Sequence, residues 1–254
     1  MSRVELKKEN QIAIITINNP PANALNPEVF NALQKLFAKL DQDNTKVIIL
    51  TGAGDRFFVG GADINQFTKL DGKAAEKLAL QGQKFTLFLE QHSKVIIVAV
   101  NGYALGGGME IAQACDFIIA SENARFGQTE IKLGIIPGWG GTQRLQRWME
   151  PQRARELILT GDIVPASEMM GFVYKVVPPE ELLPTAMDLA KRIASRGLVA
   201  IQKAKKAMKQ AMYLPLEEGL KLEARFFGEA FDSENAKECI KAFLEKREPK
   251  VLDN

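Results

Sequence analysis

The residues best suited to chemistry in this chain are two glutamates beside glycine-rich turns. Glu110 lies two residues after the triple glycine Gly106–Gly108, and Glu130 lies in an apolar, glycine-punctuated stretch expected to be a loop or short strand. The single histidine, His92, lies in a polar run and is expected at the surface. Histidine is the usual general base near neutral pH. Because the chain has only one, any acid–base chemistry is expected to fall to carboxylates. Either glutamate alone would be an ordinary surface charge, but together they indicate a general acid–base pair.

Three glycine clusters could leave backbone groups exposed to a ligand: 60–61, 106–108 and 138–141. None of them matches the motif of a dinucleotide-binding fold, a phosphate-binding loop or a serine nucleophile elbow. The triple glycine is expected between a buried strand and a helix start, where the free N–H groups of the first turn bind an oxyanion. A tight turn without chemistry is the alternative. A second glycine loop, 58–63, is expected to supply a second donor, so that two N–H groups stabilise an enolate.

The two glutamates are expected to differ in their protonation. Glu110, near a helix N-terminus, should favour its ionised form, whereas the apolar surroundings of Glu130 should raise its pKa. Glu110 is therefore assigned as the base and Glu130 as the acid, in a pair that shares one water molecule and titrates as a unit.

The elements that must position these residues follow from apolar periodicity and capping residues. A hairpin is predicted around residues 9–10, and Asn26 with Pro27 opens a helix to about residue 40. Apolar runs predict strands at 47–51, 95–100 and 117–120, with helices at 73–91 and 109–114 between them. After residue 140 the pattern becomes largely helical, with predicted helices at 142–149, 151–159, 180–195, 198–212, 216–230 and 234–246 and one strand near 174–177. This predicts an α/β core over residues 1–195 and a helical region over 196–254.

Composition and charge narrow the class of protein. Apolar residues at 46%, charged residues at 25% and a net charge of +2 are ordinary globular values. Two distant cysteines indicate neither a disulfide framework nor a zinc site. No signal peptide and no membrane span are predicted, so a reducing cytoplasm is expected. One predicted helix carries a basic face made of Lys203, Lys205, Lys206 and Lys209. This face is interpreted as solvated rather than as an RNA or phosphate contact, with Ile201, Ala204 and Met208 turned inward.

Four motifs then make the chain resemble the crotonase superfamily, and its enoyl-CoA hydratases in particular. They occur in the expected order and read Phe-Val-Gly-Gly-Ala-Asp-Ile at 58–64, Asn-Gly-Tyr-Ala-Leu-Gly-Gly-Gly-Met-Glu at 101–110, Phe-Gly-Gln-Thr-Glu-Ile at 126–131 and Ile-Pro-Gly-Trp-Gly-Gly-Thr-Gln-Arg-Leu at 136–145. Pro-Ala-Asn-Ala-Leu-Asn at 21–26 is similar to the family's N-terminal coenzyme A contact.

The resemblance implies an α/β fold, a crotonase-like spiral of ββα units, whose C-terminal helices build a homotrimer or a homohexamer. It implies an acyl-CoA substrate hydrated in fatty acid β-oxidation, with no metal, no redox cofactor and no nucleic acid partner. Glu110 and Glu130 take the positions of the catalytic glutamates, and Ala62 and Gly107 those of the oxyanion-hole amides. The expected substrate and coenzyme contacts are Ala22, Ala24, Ala62, Asp63, Ile64, Asn65, Gly107 and Gly138, with Phe231 and Lys246 near a neighbouring coenzyme.

Some positions depart from the family pattern, and other functions stay open. Asn65 stands where some hydratases carry lysine, Thr129 replaces a common proline, and Trp139 is bulkier than usual. The last two put acyl-chain length in question. An enoyl-CoA isomerase needs one carboxylate and no water, so the presence of both glutamates favours hydration. A non-catalytic RNA-binding or scaffold member would lack a glutamate or carry a dense basic surface, and neither feature is seen.

Overall fold

The computed structural model describes residues 3–250, so the ends of the two predicted regions, 1–2 and 251–254, lie outside it. The strands in chain order are β1 (Val4–Glu9), β2 (Ile12–Ile17), β3 (Val47–Gly52), β4 (Phe57–Val59), β5 (Val95–Val100), β6 (Tyr103–Leu105), β7 (Phe117–Ser121), β8 (Arg125–Gly127), β9 (Val164–Pro165) and β10 (Lys175–Val177). The α-helices are α1 (Pro27–Asp41), α2 (Gly72–Gln91), α3 (Gly107–Ala114), α4 (Gly141–Trp148), α5 (Pro151–Thr160), α6 (Leu182–Ala194), α7 (Leu198–Ala211), α8 (Leu216–Phe231) and α9 (Glu234–Leu244).

These strands form two sheets, and the chain passes from one to the other repeatedly. The larger sheet has the order β1-β2-β3-β5-β7-β10, and the smaller one has the order β4-β6-β8-β9. The pairs β3/β4, β5/β6 and β7/β8 each place one strand in the larger sheet and the next in the smaller sheet. A helix follows each pair, so the predicted spiral of ββα units is confirmed.

The larger sheet is covered on both faces, which explains its uninterrupted apolar strands. Every residue of β3 and β5 is buried, as expected for parallel strands between two layers of helices. Alternate side chains, such as Ile48 and Leu50, pack with α1 and α3, whereas Val47 and Ile49 pack with α6. α6 therefore belongs to the core, and α7 packs mainly on α8. The division near residue 195 stays a prediction.

The first hairpin and the start of α1 were predicted correctly from local sequence signals. The predicted hairpin is present, with Asn10 in the left-handed region at φ 52°. Asn26 caps α1 through its side-chain oxygen, which accepts a hydrogen bond from Val29 N at 2.9 Å, and Pro27 is the first helical residue. These are the expected roles of asparagine and proline at a helix N-terminus.

Several expectations were wrong. His92 is buried, with Nε2 3.1 Å from the Phe37 carbonyl oxygen, rather than lying at the surface. Burial lowers the pKa of His92. The face of α7 also differs from that expected, although Ile201 packs against the core as predicted. Lys205 points inward and donates to Asp116 at 2.7 Å, while Ala204 and Met208 are exposed. In both cases the polar group gains a buried partner that is distant in sequence.

Candidate active site

The two predicted glutamates line one cavity of about 940 Å³. Its walls come from α2, the first turn of α3 and the segment that leads into α4. Ala62, Gly107 and Gly138 line the same cavity. Residues far apart in sequence therefore meet at one site, because the ββα units bring their connecting segments to one end of the small sheet.

Glu110 projects from the first turn of α3 and is held by backbone amides. Its side chain is almost fully buried, at 1% exposure of the residue. Its Oε1 accepts hydrogen bonds from Trp139 N and Gly141 N, each at 2.7 Å. Burial raises the pKa of Glu110 to about 7, and the charge of Glu130 adds to the rise, while the two amide donors oppose it.

Glu130 lies in a 3-10 helix, Thr129–Leu133, rather than in the expected loop or strand. Its carboxylate rests against Gly106, where a Cβ atom would lie 2.7 Å from Oε1 of Glu130. Gly106 also has φ 49°, which L side chains rarely adopt. Oε2 of Glu130 is buried without a protein partner among the described residues. Burial raises the pKa of Glu130 to about 6.

The expected contrast between the two glutamates was wrong. The helix N-terminus was predicted to keep Glu110 ionised, yet its pKa rises to about 7, above the value of about 6 for Glu130. The dipole of a helix end contributes less than the removal of a carboxylate from water and the approach of a like charge. Both carboxyls thus have pKa values closer to neutral pH than an exposed glutamate.

The two predicted amide donors border the same cavity. Gly107 is the first residue of α3, so its N–H has no acceptor within the helix. Ala62 forms a parallel bridge with Leu25, in which Leu25 N donates to Gly61 O at 2.9 Å and Asp63 N donates to Leu25 O at 3.4 Å. Because neighbouring groups of an extended chain point to opposite sides, the Ala62 N–H faces away from Leu25.

The sequence model of the enoyl-CoA hydratase/isomerase family matches residues 7–254. The chain belongs to the enoyl-CoA hydratase/isomerase family. It is 42% identical to the short-chain-enoyl-CoA hydratase of Clostridium acetobutylicum, over 100% of this chain and 99% of that protein. It is 43% identical to the crotonyl-CoA hydratase of Syntrophomonas wolfei, over 97% and 96%. The structure of an enoyl-CoA hydratase from Bacillus anthracis superposes with a TM-score of 0.95 at 35% identity, over 99% of this chain and 100% of that one.

The predicted coenzyme contacts of this hydratase/isomerase family member fall into three groups. Ile64 and Gly138 line the large cavity, and Asp63 lines a second cavity next to it. Ala22 and Ala24 lie on the segment beside residues 60–62, and Ala22 O accepts a hydrogen bond from Gly60 N at 2.9 Å. Asn65 is exposed, and its side chain donates to Asp63 at 2.9 Å.

Phe231 and Lys246, the residues expected near a neighbouring coenzyme, do not line the cavity of their own chain. Phe231 is exposed at the end of α8, and Lys246 is exposed just beyond α9. Their assignment stays a prediction about a neighbouring subunit. Each helix within residues 3–250 is too short or too polar to cross a lipid bilayer.

An ion-pair network beside the glutamates was missed at the sequence level. Arg144 on α4 donates to Glu90 Oε2 through Nε at 3.0 Å and Nη2 at 2.8 Å. Its Nη1 donates to Trp139 O at 3.0 Å and to Thr86 Oγ1 at 3.2 Å. Arg144 thereby fixes the segment whose amides hold Glu110. Only its place in the Gly-Gly-Thr-Gln-Arg motif pointed to it, because Glu90 lies 54 positions away.

Gln128 was also missed. Its side chain is fully buried, and neither of its polar atoms has a hydrogen-bond partner among the described residues. A Cβ atom at Gly141 would lie 2.7 Å from Gln128 Nε2, so the amide packs against the loop that holds Glu110. Unpaired buried amides are rare in folded proteins, and this one lies two residues before Glu130.

Proposed function

We propose that this protein is an enoyl-CoA hydratase that adds water reversibly to trans-2-enoyl-CoA and gives 3-hydroxyacyl-CoA. The observation that carries this is the convergence of two buried carboxyls on the cavity that Ala62 and Gly107 also line. The Clostridium and Syntrophomonas relatives, named for short-chain and crotonyl substrates, support the same activity and point to a short acyl chain.

In the proposed reaction the thioester oxygen accepts hydrogen bonds from the N–H groups of Ala62 and Gly107. When the oxygen of water bonds to Cβ, the electron pair of the double bond moves toward Cα and the carbonyl, so negative charge develops on the thioester oxygen. An amide placed for that charge is worth about 3 kcal/mol in the transition state. The enolate then takes a proton at Cα, which completes the addition.

Both proton transfers fall to Glu110 and Glu130. The raised pKa values, about 7 and about 6, keep one proton on the pair near neutral pH. One carboxylate accepts a proton from the attacking water, and the other carboxyl provides the proton for Cα. Because the two groups are coupled, the proton belongs to the pair rather than to one residue. The residues supply this chemistry without a metal or redox cofactor.

The proposal also includes the oligomeric state, cellular location and pathway of the enzyme. Large apolar side chains such as Phe227 and Phe243 are exposed on α8 and α9, which supports burial in a homotrimer or homohexamer. Cys115 and Cys239 are free, which fits a reducing cytoplasm. Fatty acid β-oxidation is the proposed pathway.

The decisive assay is the loss of enoyl-thioester absorbance with crotonyl-CoA. We expect Glu110→Gln and Glu130→Gln each to lose ~10²–10⁴-fold in kcat, whereas the exposed Glu122→Gln serves as a matched control and keeps normal turnover. Near-normal turnover in both active-site variants would refute the assignment. A 3-enoyl-CoA run in parallel separates the hydratase from an isomerase: faster turnover of that substrate would overturn the proposal.

A further inference from the structure

We propose that the indole of Trp139 is the wall that limits acyl-chain length in this enzyme. The inference rests on the proposed function, since it concerns the acyl tail of the same thioester. It assigns a specificity role to a side chain whose backbone N–H already holds Glu110 at 2.7 Å. The proposal places the reacting carbons next to Glu110 and the tail of a longer substrate against the indole.

The indole spans the cavity from α3 to α2. On one side, a Cβ atom at Gly107 would lie 2.9 Å from Cζ3 of Trp139. On the other side, a Cβ atom at Gly82 would lie 2.1 Å from Cδ1 and Nε1. The Phe30 ring is 5.8 Å from the indole by centroid, and Trp139 is only 7% exposed. The ring is thus packed against both walls.

Gly82 shows that the chain is adapted to this ring. The residue lies within the twenty-residue helix α2, where glycine is unfavourable relative to alanine. Any side chain there would overlap the five-membered ring of Trp139, so the absent side chain of Gly82 makes room for the indole. Gly82 and Trp139 thus form one fitted contact, in which the large indole occupies the space that a side chain at residue 82 would otherwise fill.

A second cavity of about 460 Å³ lies behind the indole. Trp139 borders both cavities. Apolar side chains of Leu25, Phe30, Phe67 and Leu78 line part of the second cavity. An alkyl tail that passed the indole would therefore find apolar contacts in the space behind it.

The part of the first cavity formed by α4 and the end of α2 does not suit an alkyl tail. It carries the Arg144–Glu90 ion pair at 2.8 Å, with the Tyr213 hydroxyl 3.3 Å from Glu90. An alkyl chain against these groups would displace water from charged atoms without replacing its hydrogen bonds. Other large apolar side chains of this cavity, such as Leu87, Leu133 and Ile136, are exposed, so an alkyl tail packed against them would stay partly in water. The proposal therefore places a short acyl group in front of Trp139 and a long tail in the space that the indole closes.

The test compares kcat/KM for crotonyl-, hexenoyl-, octenoyl- and decenoyl-CoA. We expect the wild-type value to fall by at least about 10-fold from crotonyl- to decenoyl-CoA, and Trp139→Ala to reduce that ratio by at least about 10-fold. Trp139→Phe should give an intermediate ratio. Trp148→Ala, a tryptophan outside both cavities, is the control and should keep the wild-type ratio.

A second measurement separates this inference from the function on which it rests. Calorimetric binding of saturated butyryl- and decanoyl-CoA reports chain-length preference without turnover. Absence of crotonyl-CoA hydration by the wild type would refute the proposed function, while the binding ratio would still report on Trp139. If Trp139→Ala leaves the ratio of the two affinities unchanged, or if the wild type hydrates decenoyl-CoA as fast as crotonyl-CoA, the role of Trp139 is overturned.

The fitted contact has its own test, which does not depend on the stability of Trp139→Ala. Gly82→Ala should lower crotonyl-CoA kcat/KM at least about 10-fold, because the new methyl group displaces the indole beside Glu110. Combined with Trp139→Phe, the same change should cost less, since a smaller ring leaves room for the methyl group. Equal losses in the two backgrounds would contradict the contact.

Discussion

Replacing Glu110 by glutamine should make the protein more stable above neutral pH while it removes activity. Burial and the charge of Glu130 raise the pKa of Glu110 from 4.5 to about 7 in the folded protein. In the unfolded chain the carboxyl returns to its ordinary value. A group whose pKa is raised on folding contributes stability below the unfolded pKa and loses it as the pH rises through the folded pKa.

The magnitude follows from the same two values. The difference between 4.5 and about 7, at 1.36 kcal/mol for each unit, corresponds to roughly 3 kcal/mol of stability lost by the wild type between about pH 4.5 and pH 8. Glu110 is 1% exposed, so solvent screens this effect little. Glutamine keeps an oxygen that accepts from Trp139 N and Gly141 N, but it does not ionise.

Urea unfolding at fixed protein concentration, at about pH 8 and about pH 5, measures the effect. The free energy of unfolding of Glu110→Gln minus that of the wild type should be about 1–3 kcal/mol larger at the higher pH. Comparing the two pH values cancels packing changes that do not depend on ionisation. The exposed Glu122→Gln is the control and should show the same difference at both. An equal difference for Glu110→Gln at both pH values would refute the raised pKa.

Three further changes probe the electrostatics and the positioning of the pair. In Glu130→Gln, the pKa of Glu110 in the pH profile of the residual activity should move to lower pH, because the like charge that raises it is gone. An unchanged pKa in that profile would rule out the coupling. Arg144→Lys should lower kcat about 10–100-fold with little change in KM, because lysine cannot replace both bonds to Glu90 and the bond to the loop that holds Glu110; a change in KM alone would argue against a positioning role. Gly106→Ala should lower kcat about 10²-fold in the same assay, since its methyl group would overlap the Glu130 carboxylate; full activity would place that carboxylate elsewhere.

The sequence predicted those elements whose signals are local. Asn26 and Pro27 mark the start of α1, and the apolar runs of β3 and β5 stand out because both faces of the larger sheet are covered. The small sheet was missed, because its strands β4, β6 and β8 have only three residues each. Three residues carry too little periodicity to separate a strand from a loop.

Predictions about single side chains failed where the partner is distant in sequence. Lysine is rarely buried, so the sequence predicts Lys205 at the surface, but Asp116 and the Lys94 carbonyl oxygen accept its hydrogen bonds at 2.7 Å. The order of the glutamate pKa values failed for the same reason. The helix dipole at Glu110 is visible in the sequence, whereas its complete burial and the approach of Glu130 depend on tertiary structure.

The way in which Glu110 is held would allow the carboxyl to be both fixed in position and reactive in the proposed hydration. Two amides bind one oxygen, which orients the group and by itself would lower the pKa. The opposing effects of burial and of Glu130 are larger, so the net pKa rises to about 7. A carboxyl held only by charged donors such as arginine would be equally well oriented but would stay ionised, and it could not return a proton. Neutral amides, in a loop that Arg144 holds in place, therefore suit the proton exchange near neutral pH that the proposed reaction assigns to Glu110.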